Sequence, residues 1–364
     1  MSSAESVAIA THLASYIDPH SGLSLSASGA LQSTAVESDV ISLRLGLPYP
    51  VATLAESLRE GIVAHLALMA AAHRIEIEIV QQIPRSQSRA GAALAEVKNV
   101  IAVASGKGGV GKSATALNVA LSLSAEGARV GLLDADIYGP SQPMMLGLPS
   151  THRPEVREQK YFVPVEAHGL QTMSMGYLAT EKTPMVWRGP MASGALTQMI
   201  NQTLWQNLDY LIVDMPPGTG DIQLTLAQQV PVSGAVIVTT PQDLALLDAK
   251  KAIEMFGKVE IPCLGVVENM ASYRCSQCGH DEPIFGCGGG ERIAEDYAVP
   301  LLGELPLDMA IRRGFDAGQS IVVAEPQSEI AAEYRRISRQ LALRLAIAAL
   351  QSPSEGPEIV VSNE

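Results

Sequence analysis

Val100-Ile101-Ala102-Val103-Ala104-Ser105-Gly106-Lys107-Gly108-Gly109-Val110-Gly111-Lys112-Ser113 is the stretch from which the rest of the chain can be read. The apolar, β-branched run from Val100 to Ala104 predicts a strand, the glycines predict a loop, and Ala114 to Glu126 predicts an amphipathic helix. A phosphate-binding loop requires that order of strand, loop and helix. Gly106, Gly108, Gly109 and Gly111 let the backbone turn its N–H groups inward around an anion. The helix that follows adds the positive end of its dipole. In such a loop Lys112 reaches the outer phosphates and the Ser113 hydroxyl ligates Mg²⁺. A plain glycine-rich turn would leave Lys112 and the cluster of glycines without a reason.

The whole chain of 364 residues exceeds a usual single core, which predicts one large domain and a smaller one. Hydrophobic residues make up 47% and charged residues 17%, the balance of a soluble globular protein. Aromatic residues are only 4%, so the core must be aliphatic and rich in alanine. A net charge of −13 argues against nonspecific binding to nucleic acid or to an anionic membrane. The N-terminal Met-Ser-Ser-Ala-Glu-Ser lacks the basic start of a signal peptide, and no apolar run approaches the ~20 residues that span a bilayer. The expected location is the cytoplasm.

Residues 1–84 read as a separate small α+β unit. It has a short helix at Ala10–Tyr16, a turn at Asp18-Pro19-His20-Ser21-Gly22, a strand at Ile41–Leu45, a helix at Ser57–Ala71 and a strand at Ile75–Val80. Residues 85–97, rich in polar and small side chains, read as a linker. From residue 98 to 350 strands and helices alternate, which predicts an α/β domain: a parallel sheet with helices on both faces. Its further strands are Val130–Leu133, Tyr210–Val213, Ala235–Thr240 and Leu264–Val267, and Arg336–Leu350 is the closing helix. Residues 351–364 read as a disordered tail.

Polar residues stand where these strands end, which is where parallel sheets place ligands. Leu211-Ile212-Val213-Asp214, followed by Met215-Pro216-Pro217-Gly218-Thr219-Gly220-Asp221, has the form of a metal-bearing strand and its switch loop. Asp214 would hold Mg²⁺ through a water, and Gly218 would let the backbone approach the terminal phosphate. Asp134 and Asp136 end another strand before Gly139-Pro140-Ser141. Asn269 ends a third, where its amide can both donate to and accept from an adenine edge.

Lys107, directly after Gly106, makes the loop resemble the deviant branch of P-loop ATPases that includes nitrogenase iron protein and the partitioning and division-site ATPases. The resemblance implies that Lys107 reaches across a homodimer to the partner's nucleotide, with ATP sandwiched between subunits. The match narrows further with D-A-D-I-Y-G-P-S at 134–141, W-R-G-P-M at 187–191, D-M-P-P-G-T-G-D at 214–221, V-E-N-M at 267–270 and C-x-x-C at 275–278, in that order. Together they resemble the Mrp/Nbp35 group of iron–sulfur cluster carrier ATPases, in particular its bacterial ApbC-like members. By that resemblance residues 106–113 (Gly106, Lys107, Gly108, Gly109, Val110, Gly111, Lys112, Ser113) contact ATP, Asp136 positions the attacking water and Asp134 lies near the metal. Asn269 faces adenine, and the segment containing Pro306 closes over the base. The small N-terminal unit resembles a module associated with iron–sulfur assembly factors, without the cysteine many such modules carry, which predicts a docking or regulatory role.

The four cysteines all fall between Cys263 and Cys287. Spacing alone leaves Cys275 and Cys278 open to four readings: a metal centre shared between two chains, a redox pair, a single-chain zinc site with His280 and Cys287, or plain loop thiols. Gly279 between Cys278 and His280 excludes a haem attachment. The resemblance implies that Cys275 and Cys278 bind a labile 4Fe-4S cluster bridged between subunits; Cys263, within an apolar strand pattern, reads as a core residue. The function expected is an ATP hydrolase, slow in turnover, that takes a cluster from a scaffold and hands it to apo iron–sulfur proteins. The rivals are a positioning ATPase and a zinc-stapled ATPase scaffold. The end of the chain, Glu-Gly-Pro-Glu-Ile-Val-Val-Ser-Asn-Glu, lacks the basic amphipathic helix that a membrane-bound positioning ATPase needs.

Overall fold

The computed structural model describes residues 2–70, 73–86, 94–178, 189–275 and 277–351. Trp187 and Arg188 of the W-R-G-P-M run and the tail from residue 352 lie outside the described residues, as does much of the expected linker. The chain divides into two compact units: one of Met1–Tyr49, Ala55–Gln87 and the residues from Leu343, the other of Pro50–Leu54 and Ser88–Ala342.

In the smaller unit, α1 (Ser2–Ala14) leads through the Asp18 turn to a hairpin of β1 (Leu31–Glu37) and β2 (Val40–Leu47). Next, α2 (Ala55–Leu66) crosses to β3 (Arg74–Gln81), which pairs parallel to β2 in the order β1-β2-β3. Asp18 is buried and accepts hydrogen bonds from the His20 and Ser21 N–H groups and the Ser21 and Tyr49 hydroxyls. That satisfied carboxylate is why an Asp-Pro turn stands there. Burial and the Asp18 carboxylate push the Tyr49 phenol far above its usual range. Three expectations are corrected here. The first helix is Ser2–Ala14 rather than Ala10–Tyr16, because Ser15 Oγ closes on the His12 carbonyl and stops it. The second ends at Leu66, and the apolar run beyond it misled because Leu68 is 98% exposed. Strand β1 was invisible, since only Val36 of its seven residues is buried.

The larger unit carries an eight-stranded sheet. Strand β4 (Val97–Ala104) enters the phosphate loop, which ends in α3 (Lys112–Ala125), then β5 (Val130–Asp134) and the short α4 (Gln142–Met145). A two-stranded ribbon of β6 (Val156–Arg157) and β7 (Tyr161–Phe162) precedes β8 (Val165–Ala167), β9 (Leu170–Ser174), α5 (Met175–Leu178) and α6 (Gly189–Gln202). The chain continues through β10 (Leu208–Asp214), α7 (Asp221–Gln229), β11 (Gly234–Thr239), α8 (Asp243–Lys258) and β12 (Cys263–Asn269). A small hairpin of β13 (Tyr273–Arg274) and β14 (Asp281–Glu282), α9 (Gly289–Tyr297), β15 (Leu301–Leu305), α10 (Met309–Asp316), α11 (Ile321–Ala324) and α12 (Glu329–Gln351) complete it.

The sheet order is β15-β12-β11-β4-β10-β5-β9-β8. Seven strands are parallel, and β8 closes the edge antiparallel to β9. The expected parallel sheet is therefore present with one antiparallel edge strand that the sequence did not signal. Every residue of β5, β10 and β11 is buried, as expected of strands covered on both faces. At the N-terminal end of the sheet, Asp209 accepts from Lys98 Nζ at 2.8 Å and from the Arg129 backbone and side chain, tying β10 to its two neighbours. At the opposite end, β5, β10 and β12 terminate in Asp134, Asp214 and Asn269, beside the ends of β4 and β15.

Candidate functional site

The phosphate loop is built by three different contacts. Gly109 and Gly111 take positive φ, +80° and +85°, which lets the loop curl back and start α3. Gly106 is glycine for another reason: a Cβ there would collide with the Asp248 backbone carbonyl of α8. Val110 is buried, and its carbonyl accepts from Asn269 Nδ2 at 2.9 Å, so β12 holds the loop from the side. No side chain caps α3 at Gly111, so its first-turn N–H groups face the loop's hollow, ready for an anion. Gly218, at φ +103°, donates its N–H to the Ser105 carbonyl and brings the switch loop against the phosphate loop. Lys107 is half-buried at the rim of the loop, where its carbonyl accepts from Ser105 Oγ.

Beneath the loop two carboxylates contact one ammonium, with a third carboxylate, Asp134, nearby. Lys112 Nζ lies 2.5 Å from Asp214 Oδ1, 3.2 Å from Ser113 Oγ and 3.7 Å from Asp136 Oδ2. Ser113 and Asp214 thus converge on a point already suited to a cation. A hydroxyl and a carboxylate are the hard oxygen donors that Mg²⁺ takes, so the set fits that ion. Asp134 stands opposite Asp214 in the strand register and is fully buried. It accepts from the N–H groups of Asp136, Ser141 and Gln142 and from Ser174 Oγ. Burial and the Asp214 charge push its carboxyl up to about 7, against those hydrogen bonds and Lys112. Burial likewise raises Asp136, with Lys112 opposing. Asp134, expected to lie near the metal, stands beside Asp214 and also organises the Asp136–Gln142 turn.

Gln142 is a site residue that the sequence did not reveal. Its Nε2 donates to Asp214 Oδ2 at 2.8 Å and to the Ser113 carbonyl at 3.0 Å, clamping the metal-bearing strand to α3. The only signal was its place after Gly-Pro-Ser, and an amide there reads as an ordinary helix start. Asn269 and Pro306, the expected adenine contacts, sit on neighbouring strand ends: Asn269 pairs with Leu305 in the β12–β15 register. The Asn269 amide is committed on its nitrogen side to the phosphate loop, leaving Oδ1 as its outward group.

Cys275 and Cys278 occupy the loop of the β13–β14 hairpin. The Cys275 N–H donates to the His280 carbonyl at 2.8 Å, and the Gly279 N–H to the Cys275 carbonyl. Backbone N–H groups of Cys278 and Gln277 and the Cys278 thiol point at the Cys275 sulfur and hold its pKa below the usual thiol value. Cys278 is exposed and Cys275 partly so. Among the described residues no group of three or more His, Cys, Asp or Glu side chains converges on a metal position. Cys263 is different: burial pushes its thiol up to about 11 at the start of β12. No helix among the described residues is long and apolar enough to cross a membrane.

Comparison with known proteins follows this geometry. Residues 96–342 match the family described as NUBPL iron-transfer P-loop NTPase, and residues 6–79 match the family described as iron–sulfur cluster assembly protein. The iron–sulfur cluster carrier protein of Pseudomonas fragi is 61% identical over 265 residues, 73% of this chain and 92% of that protein. The protein of the same description from Escherichia coli K12 is 50% identical over 340 residues, 93% and 91% of the two chains. Among solved structures, a nucleotide-binding protein of Archaeoglobus fulgidus in complex with ADP is similar with a TM-score of 0.57 and 36% identity, covering 65% of this chain and 92% of that one.

Proposed function

Because this chain belongs to the NUBPL iron-transfer P-loop NTPase family, we propose that it is an ATP-driven carrier that binds a labile 4Fe-4S cluster between two copies of itself and delivers it to apo-proteins. The observation that carries the reading is the hairpin loop. It presents two thiols, Cys278 exposed and Cys275 partly so, the latter with its pKa held below the usual thiol value, and no third protein ligand converges on them among the described residues. A four-iron cubane takes one ligand at each iron, so two chains supplying Cys275 and Cys278 complete the set. Exposure of these thiols suits a cargo that must be handed on.

ATP binds in the loop of residues 106–113, where backbone N–H groups and the α3 terminus hold the phosphates. Ser113 and Asp214 would hold Mg²⁺, which would supply neutralisation of the phosphate charge. Lys112 then exchanges its carboxylate partners for the outer phosphates. Asp136 orients the attacking water, and Lys107 contacts the nucleotide of the partner subunit. Gly218, hydrogen-bonded to Ser105, links the terminal phosphate to the switch loop, so ATP and ADP bias the dimer interface differently and change its grip on the cluster. Asn269 and Pro306 border the base. The recipients are apo iron–sulfur proteins, the donor is a cluster scaffold, and the setting is the cytoplasm.

Anaerobic reconstitution with iron and sulfide, followed by metal counting and visible absorption, tests this reading. About two irons per chain are expected, with loss of the cluster in Cys275→Ala and in Cys278→Ala and retention in Cys287→Ala. Four irons per chain, or tight zinc alone, would overturn it.

A further inference from the structure

Glu268 and Glu304 stand directly opposite each other on β12 and β15. Like charges directly opposite each other on adjacent strands repel and destabilise the pairing. Glu268 is fully buried; it accepts the Gly290 N–H through Oε2, while Oε1 has no partner. An orphaned buried carboxylate oxygen calls for a donor. Both residues line a cavity of about 690 Å³ that runs beneath the β13–β14 hairpin and includes Cys287 in its wall. Burial and the neighbouring Glu304 and Glu291 charges raise the Glu268 carboxyl, against the Gly290 N–H and Arg292, and Arg336 faces Glu304.

Arg274 is the one cation in the cavity wall among the described residues, and it is committed to Asp281 at 3.2 Å and Glu329 at 3.1 Å. Leu305, Pro306 and Ile330 give the wall an apolar stretch, and Ser272, Asp308, Ser328 and Glu333 add polar and acidic groups to it. A predominantly acidic lining with one aliphatic stretch suits a long side chain with an apolar stem and a cationic head. A bare metal ion would need three converging ligands, which the described residues do not offer. We propose that this cavity seats an arginine or lysine side chain of the polypeptide that receives the cluster, holding it beside Cys275 and Cys278. The identity of the partner rests on the carrier reading; the cationic preference of the cavity does not.

Cys287, exposed and in the cavity wall, is a built-in reporter. Its alkylation by iodoacetamide in the full-length protein is followed by mass spectrometry against the peptide Gly-Arg-Gly or its citrulline counterpart. The arginine peptide is expected to slow modification of Cys287, and the neutral citrulline peptide to require about tenfold more for the same protection. Glu304→Lys, at an exposed position, should abolish protection. Glu268→Gln, which keeps an acceptor for Gly290, should weaken it. Equal protection by citrulline, no protection by arginine, or equal protection by Mg²⁺ or adenosine would overturn the proposal. Iron loading of Glu304→Lys is measured in parallel and should match the parent. A parent that fails to load iron removes the carrier reading and leaves the peptide result standing.

Discussion

Among the described residues Lys112 is the one ammonium beside Asp136 and Asp214, with Asp134 nearby, so it holds the site together before it serves a nucleotide. Lys112→Ala is therefore expected to do two things. ATP hydrolysis should fall at least 10²-fold, because the outer phosphates lose their lysine. The protein without Mg²⁺ should also lose about 3 kcal/mol, since buried carboxylates are left without their cation. Added Mg²⁺ should restore part of that stability, a recovery readable by chemical denaturation. Asp136→Asn separates the two effects. It should leave ATP binding near the parent value and cut turnover 10²-fold or more. Normal turnover in this variant would remove Asp136 from the water-positioning role. Asp134, with four hydrogen-bond donors on its two oxygens, is a residue whose role as scaffold could be read only from its partners.

Elements meet at the loop and at the foot of the sheet, and each junction gives a measurable consequence. Helix α8 passes so close to Gly106 that a methyl group would strike the Asp248 carbonyl, whereas a Cβ on Gly108 meets nothing within 4 Å. Gly106→Ala should lower the melting temperature by several degrees, and Gly108→Ala should leave it unchanged within about a degree while still weakening ATP binding. At the foot, burial of Asp209 works to raise its pKa, but the Arg129 and Lys98 hydrogen bonds prevail and hold it below the usual carboxylate value. A carboxylate depressed on folding contributes stability above its unfolded pKa of about 3.9 and loses it as pH falls through the folded value. Asp209→Asn should accordingly cost about 1–2 kcal/mol at pH 7, with the gap to the parent closing below pH 4. A gap of constant size down to pH 3 would mean that the charge at Asp209 does not matter.

Across the whole molecule, the lysine that reaches a second subunit sets the strictest test of the dimer. If each composite site takes Lys112 from one chain and Lys107 from the other, Lys107→Ala and Lys112→Ala homodimers should both be nearly inactive. Mixed dimers contain one site with both lysines and one with neither, so up to half the parent activity should return. No recovery in mixed dimers shown to form would mean that Lys107 acts within its own chain. What the sequence determined by itself was local: strand, glycine loop and helix at Val100–Ala125, the acidic strand ends at Asp134 and Asp214, the two-cysteine loop, and through their order the family. Those signals are carried by residues close together in the chain, where turn geometry and periodicity act directly. Helix ends in the smaller unit, strand β1 and the antiparallel edge at β8 escaped it, because their residues are short, polar or half-exposed and gain their place from pairing. Only the tertiary structure set Gln142 against Asp214, α8 against Gly106, and Glu268 beside Glu304. Each of those contacts joins segments far apart in sequence, and packing of the sheet and its helices, rather than any local preference, decides which distant side chains meet.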